Sequence, residues 1–198
     1  MADFTHRSSV IDSLEKVRRE GEILAFFYYD FRNEHSTSAS DALRSILSQL
    51  LHRLGECAID PGSLINDLVD AKKRGGATRR NTKKLAGFAS RTAKLFVKNP
   101  LIVVDALDEC KDIEALLEGL DALKDCTQVF MTSRPLPIIK DSLSGVPFIS
   151  MDEMAENLSA DIALHVTREL DARWKLRLLE PVHKMKIQSV LCRKADGM

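Results

Sequence analysis

The chain has 198 residues, 44% hydrophobic and 29% charged, with equal numbers of basic and acidic residues, which suits one domain with a sizeable core and is too apolar for a disordered chain. No secretory leader is visible, and the longest apolar runs are strand-sized, far short of a membrane span. Cys57, Cys110, Cys126 and Cys192 are scattered without C-x-x-C or histidines at zinc spacing, so a disulfide scaffold and a zinc module are set aside and a cytoplasmic protein with buried or half-buried thiols is expected.

From the N-terminus, the pattern predicts an amphipathic helix over Ser8–Val17 and a strand in the run Phe26-Phe27-Tyr28-Tyr29-Asp30-Phe31-Arg32. The hydroxyl-rich residues 34–38 read as a turn into the clearest helix of the sequence, Ser40–Leu54. There Ala42, Leu43, Ile46, Leu47, Leu50, Leu51 and Leu54 recur at helical spacing. Asp60-Pro61 opens another helix, carrying Leu64, Ile65, Leu68 and Val69. A further helix starts near Thr82, with Leu85, Phe88, Ala89, Thr92 and Phe96 on one side.

Charge is unevenly spread. Residues 71–104 hold ten lysines or arginines and no acid, whereas residues 105–161 hold thirteen acids against four bases. The densest basic run, 72–84, lacks the interleaved aromatic residues that stack bases and contains Gly75-Gly76. It reads as a solvated loop and helix start facing the acidic segment, and nucleic-acid binding ranks well below.

Leu101-Ile102-Val103-Val104 predicts a strand buried on both faces, running straight into Asp105, Asp108 and Glu109. Open α/β sheets bind ligands at the carboxyl ends of their strands. A carboxylate there can hold Mg²⁺ through water while the next acid orients or deprotonates an attacking water. The plainer reading has Asp105 capping a turn and Asp108-Glu109 opening a helix. Ile113, Leu116, Leu117, Leu120 and Leu123 then form a crossover helix to a second buried strand, Gln128–Thr132. Ser133 and Arg134 follow on the same rim, and arginine is the side chain suited to polyphosphate.

Pro135-Leu136-Pro137 starts a short helix through Ile138, Ile139 and Leu143, broken by Gly145. Residues 146–151 read as a weaker strand, with Pro147 at an edge or strand start. Beyond Glu153 the pattern is helical, first about Ile162, Val166 and Leu170, then after Pro181 about Val182, Met185, Ser189 and Val190. Trp174 between them reads as a packing anchor and His165 as a packed or interfacial histidine.

Asp105-Ala106-Leu107-Asp108-Glu109-Cys110 after one buried strand and Thr132-Ser133-Arg134-Pro135 after the next resemble the NACHT domain of signal-transduction NTPases, of the fungal NLR-like and nephrocystin-like kind. Phe26–Arg32 is similar to that family's second core strand, and Lys194–Met198 to its motif at the end of a following helix. The resemblance implies a P-loop NTPase-like α/β fold, a parallel sheet flanked by helices. It implies a partial nucleotide-binding core over 1–152 and the start of a helical subdomain over 153–198. It assigns Asp105 to Mg²⁺, Glu109 to water activation, Asp108 to support of the acidic site, and Ser133 with Arg134 to sensing the γ-phosphate of ATP or GTP.

The family's phosphate-cradling strand and G-x-x-x-x-G-K-[ST] do not occur in these residues, and the register of the first helix puts the loop's lysine near Asp3. The expectation is therefore the Walker B and sensor half of a NACHT-type switch from an NLR-like protein of innate immunity or heterokaryon incompatibility, not competent for hydrolysis alone. The alternative is a non-enzymatic module that associates with itself or with intact relatives.

Overall fold

Three short strands, β1 (Leu24–Tyr28), β2 (Leu101–Asp105) and β3 (Gln128–Met131), pair in parallel in the order β1-β2-β3. The apolar Leu101 strand is thus the central one. The structure is a computed structural model that describes residues 9–19, 21–30, 37–73, 81–150, 153 and 155–195. Residues 74–80 of the basic run, 31–36 and 196–198 lie outside them, and with them parts of the turn, strand and terminal motif read from the sequence.

The chain divides into two compact units, Met1–Ser144 and Gly145–Met198. The first holds the sheet with α1 (Ser9–Val17), α2 (Ala39–Glu56), α3 (Leu64–Lys73), α4 (Thr82–Ala93), α5 (Ile113–Asp121) and α6 (Pro137–Ser142). It is an α/β arrangement consistent with a P-loop-like fold. Alternation along the strands divides the side chains between two faces. Ala25, Ile102, Val104, Val129 and Met131 join the main core with Leu43, Ile46 and Leu50 of α2, Ala89 of α4 and Leu116 and Leu120 of α5. On the opposite face Leu24 and Val103 pack with Ile11 of α1 in a smaller cluster. Leu43, Ile46 and Leu50 are fully buried, each contributing about 1.5–3 kcal/mol of burial energy. Helix α5 comes close to α2 at Gly119, where a Cβ would stand 2.8 Å from Leu43 Cδ1.

Helix starts follow cap chemistry. Ser38 accepts the Asp41 N–H at 3.2 Å and donates to its carboxylate at 2.6 Å, and Asn81 accepts the Lys84 N–H at 3.0 Å. The helix expected from Asp60-Pro61 begins only at Leu64. The Asp60 carboxylate accepts the Gly62 N–H at 2.9 Å, and Gly62 takes a positive φ of 54°, so the chain turns there first.

The second unit holds α7 (Ala155–Ala172), α8 (Trp174–Arg177) and α9 (Pro181–Ala195). Helix α7 buries Leu170 as expected. Helix α9 meets α7 through polar contacts: Gln188 donates to Thr167 Oγ1 at 3.0 Å, and Lys184 pairs with Asp171 at 2.8 Å. The face expected to pack is therefore turned outward, with Val182, Met185 and Val190 exposed. Trp174 is 66% exposed, beside Lys175, because α8 has no buried residue, so it is no packing anchor. His165 and Cys57 are exposed as well. Residues 146–150 form no strand, and Phe148 is 84% exposed. Pro147 lacks the N–H a ladder requires, and no strand among the described residues pairs with the segment.

Candidate functional site

Asp105 is the last residue of β2, paired in register with Tyr28 of β1. The next residue, Ala106, takes the left-handed conformation (φ 57°, ψ 48°), which costs a non-glycine residue roughly 1 kcal/mol and needs fixed partners to persist. Thr132, just past β3, provides them. Its N–H donates to Val104 O at 3.0 Å and its carbonyl accepts the Leu107 N–H at 2.9 Å. Its hydroxyl accepts the Ala106 N–H at 3.0 Å and donates to Asp105 Oδ1. The turn carries Leu107 into the core, fully buried, and sets Leu107–Glu109 in a single 3₁₀ turn. Asp108 and Glu109 thus stay at the rim. They do not open the following helix, which begins at Ile113.

Asp108 is engaged with the other strand end. Its Oδ1 accepts the Arg134 N–H at 3.0 Å, and its Oδ2 lies 3.4 Å from Arg134 Nε. The Asp108 side chain is only 9% exposed, whereas that of Arg134 is 78% exposed. Arg134 is thereby held at its root while its guanidinium faces solvent. The exposed Ser133 hydroxyl donates to Arg134 O at 2.8 Å. Glu109 is half-buried, its N–H bonded to Ala106 O at 3.0 Å.

All five residues singled out in the sequence thus lie on one rim, Asp105, Asp108 and Glu109 behind β2 and Ser133 and Arg134 behind β3. The sequence gives Thr132 no role beyond ending a strand and opening the Thr-Ser-Arg-Pro run. The signal available was a hydroxyl one position past the Val104–Met131 pair, level with the aspartate that ends the central strand.

One carboxylate oxygen of Asp105 is taken by Thr132, and the other has no hydrogen-bond partner among the described residues. That leaves it able to hold a Mg²⁺ ion through water. Among the described residues there is no group of three or more His, Cys, Asp or Glu placed to hold a metal. A divalent ion here would need further oxygens from its ligand, as in nucleotide sites where phosphates share the metal.

Behind the rim, the Tyr29 N–H donates to Asp105 O at 3.1 Å. Its ring packs edge-on to Phe27 at 4.9 Å. The Tyr29 hydroxyl is buried beside the Cys110 thiol, without a partner in hydrogen-bonding geometry among the described residues. Burial pushes the phenol well above its usual range, and burial likewise pushes the Cys110 thiol up. These are structural groups behind the carboxylates. The described part of the basic run is solvated, as expected: Lys83 lies 3.7 Å from Glu118 in an exposed pair, so its charge does face the acidic segment.

No helix among the described residues is long and apolar enough to cross a membrane. Neither a curated protein nor a solved structure matches the chain. The model of the family described as Nephrocystin 3, N-terminal, does match, over residues 5–134. The match takes in the three strands and both rim segments as far as Arg134, and by it the chain belongs to the nephrocystin 3 N-terminal family.

Proposed function

We propose that this chain carries the metal-binding and sensor half of a NACHT-type NTPase switch, from an NLR-like signalling protein in which the bound nucleotide controls association. The observation that carries the reading is the convergence of Asp105, Asp108, Glu109 and Arg134 at the carboxyl ends of two adjacent parallel strands, tied by Thr132–Asp105 and Arg134–Asp108 contacts. Bound Mg-ATP or Mg-GTP would supply the phosphate oxygens that complete the metal's shell. Asp105 would hold the metal through its open oxygen, and the Glu109 carboxylate would orient water and take its proton. Arg134, its root fixed by Asp108, would face the terminal phosphate beside Ser133.

No G-x-x-x-x-G-K-[ST] occurs among the 198 residues, and such a loop supplies most phosphate contacts in P-loop sites. By itself, the chain is therefore expected to bind Mg-ATP only in roughly the millimolar range and to show no turnover. Isothermal titration is the test, with binding that needs Mg²⁺ as the supporting result. Micromolar binding independent of Mg²⁺ would contradict the reading and point to a different phosphate site. A second reading is a non-enzymatic module that keeps this rim and associates with related proteins. No response of any rim residue to Mg-ATP would favour that second reading.

A further inference from the structure

Thr132 joins the two strand ends with a half-buried hydroxyl that is committed in both directions. It accepts the Ala106 N–H at 3.0 Å and donates to Asp105 Oδ1. A threonine hydroxyl has one proton, so the proton given to Asp105 is the only one Thr132 can give. The backbone that carries it is fixed as well: Thr132 N–H donates to Val104 O at 3.0 Å, and Thr132 O accepts the Leu107 N–H at 2.9 Å. A turn of the Asp105 carboxylate away from this relay would leave the hydroxyl proton without its acceptor. Asp108 is also engaged, its Oδ1 by the Arg134 N–H at 3.0 Å and its Oδ2 by Arg134 Nε at 3.4 Å. Three of the four carboxylate oxygens of Asp105 and Asp108 thus already face protein donors.

We propose that Thr132 sets the ion preference of the rim: by holding Oδ1 it confines Asp105 to ligation through a single oxygen, and so selects Mg²⁺ over Ca²⁺ as the ion that accompanies the nucleotide. The proposal rests on the metal–nucleotide reading of the rim and adds the residue that discriminates between ions. Mg²⁺ keeps several of its waters and is bound through one or two carboxylates plus phosphates, in a tight octahedron of about 2.0–2.1 Å. One Asp105 oxygen, directly or through water, serves it. Ca²⁺ is larger, takes roughly six to eight oxygens and uses carboxylates in bidentate fashion. To grip Ca²⁺ with both oxygens, Asp105 has to give up the Thr132 proton. The two Asp108 oxygens, turned to Arg134, do not make good the shortfall. Discrimination thus comes from a neutral side chain that would never touch the ion.

Amide spectra of the full chain, titrated separately with Mg-ATP and with Ca-ATP, give the two affinities at the rim, with the Asp105, Asp108 and Arg134 amides as reporters. The wild-type chain should favour Mg-ATP by roughly tenfold, the worth of one hydrogen bond to a charged group. Thr132→Val keeps the shape and frees Oδ1, and should bring the two affinities together through tighter Ca-ATP binding. Thr132→Ser should keep the wild-type preference. Thr132→Ala frees the same oxygen with a smaller side chain, and the dispersion of each spectrum reports whether the variant is folded. Equal affinities in the wild-type chain would overturn the proposal while leaving the rim reading in place. So would a preference that survives Thr132→Val and Thr132→Ala, or one lost only because Mg-ATP binds more weakly. Rim amides of the wild-type chain that respond to neither complex would overturn the metal–nucleotide reading, and this proposal with it.

Discussion

The Thr132 hydroxyl bridges two groups of the neighbouring strand end, donating to the Asp105 carboxylate and accepting the Ala106 N–H at 3.0 Å. One side chain therefore fixes both the rotamer of Asp105 and the left-handed residue that follows it. Thr132→Val keeps the shape and removes both bonds, leaving two polar groups unpaired. It should cost about 1–3 kcal/mol in denaturant unfolding. Thr132→Ser retains the hydroxyl and should cost less than half of that. Equal losses from both would mean that the methyl group, not the hydroxyl, matters.

Asp108→Ala removes the acceptor of the Arg134 N–H and should cost about 1–2 kcal/mol, since the Asp108 side chain is nearly buried. Arg134→Ala should cost only about 0.5 kcal/mol or less, because its guanidinium is largely solvated and the pair at 3.4 Å is screened. Thermal melts of the two variants check the order. A larger loss from Arg134→Ala would show that the guanidinium itself holds the loop.

Alkaline stability follows from the buried pair behind the rim. Burial raises the Tyr29 phenol above its usual 10.0 and the Cys110 thiol above its usual 9.0. Both are neutral when protonated, so the folded chain keeps protons that the unfolded chain releases. The stabilisation is complete below the ordinary thiol range and is lost as pH rises above it. Unfolding free energy should therefore fall above about pH 9, and Tyr29→Phe with Cys110→Ala should flatten that limb. An unchanged alkaline limb in the double variant would assign the loss to other groups.

Much of the fold was legible because burial on both faces of a strand leaves a plain mark. Leu101–Val104 is apolar throughout and became the central strand, while the i, i+3, i+4 pattern of Ala42 to Leu54 became α2. The rim was legible from the order of its parts, acids after one strand and Ser-Arg after the next. What escaped depended on partners distant in sequence. Nothing local marks Gln49 of α2 as the side chain that takes the Phe26 N–H at 3.0 Å and the Phe26 carbonyl at 2.7 Å on β1, or Asp108 as the acceptor for Arg134, 26 positions away. Residues 146–150 failed as a strand because apolar composition supplies no neighbour to pair with. Trp174, Val182 and Met185 look like core in periodicity, yet α7 and α9 meet through Lys184–Asp171 and Gln188–Thr167.

In a longer protein that joins this chain in frame to a phosphate loop, Glu109→Gln should abolish hydrolysis while nucleotide is retained, since shape and hydrogen bonding survive without the base. Asp105→Asn should instead weaken the Mg²⁺-dependent part of binding. Parallel measurements of bound nucleotide and phosphate release separate the two, and identical effects on both would show the roles to be misassigned.

Lys83→Glu with Lys84→Glu should leave the fold intact, because both side chains are exposed and the Lys83–Glu118 contact is a solvated one at 3.7 Å. Filter binding across salt concentrations should show only weak, nonspecific retention of nucleic acid. Tight, salt-sensitive binding abolished by these changes would instead establish a nucleic-acid surface.

The most direct test of the rim as a metal–nucleotide half-site is paramagnetic relaxation of backbone amides by Mn²⁺ in the presence of ATP, which detects even weak occupancy. Broadening should centre on Asp105, Asp108, Glu109 and Arg134 and disappear in Asp105→Asn, with the fold unchanged. Broadening confined to the acidic surface of α5 around Glu114, Glu118 and Asp121, or unaltered by Asp105→Asn, would contradict the assignment of these strand ends to a nucleotide-bound metal.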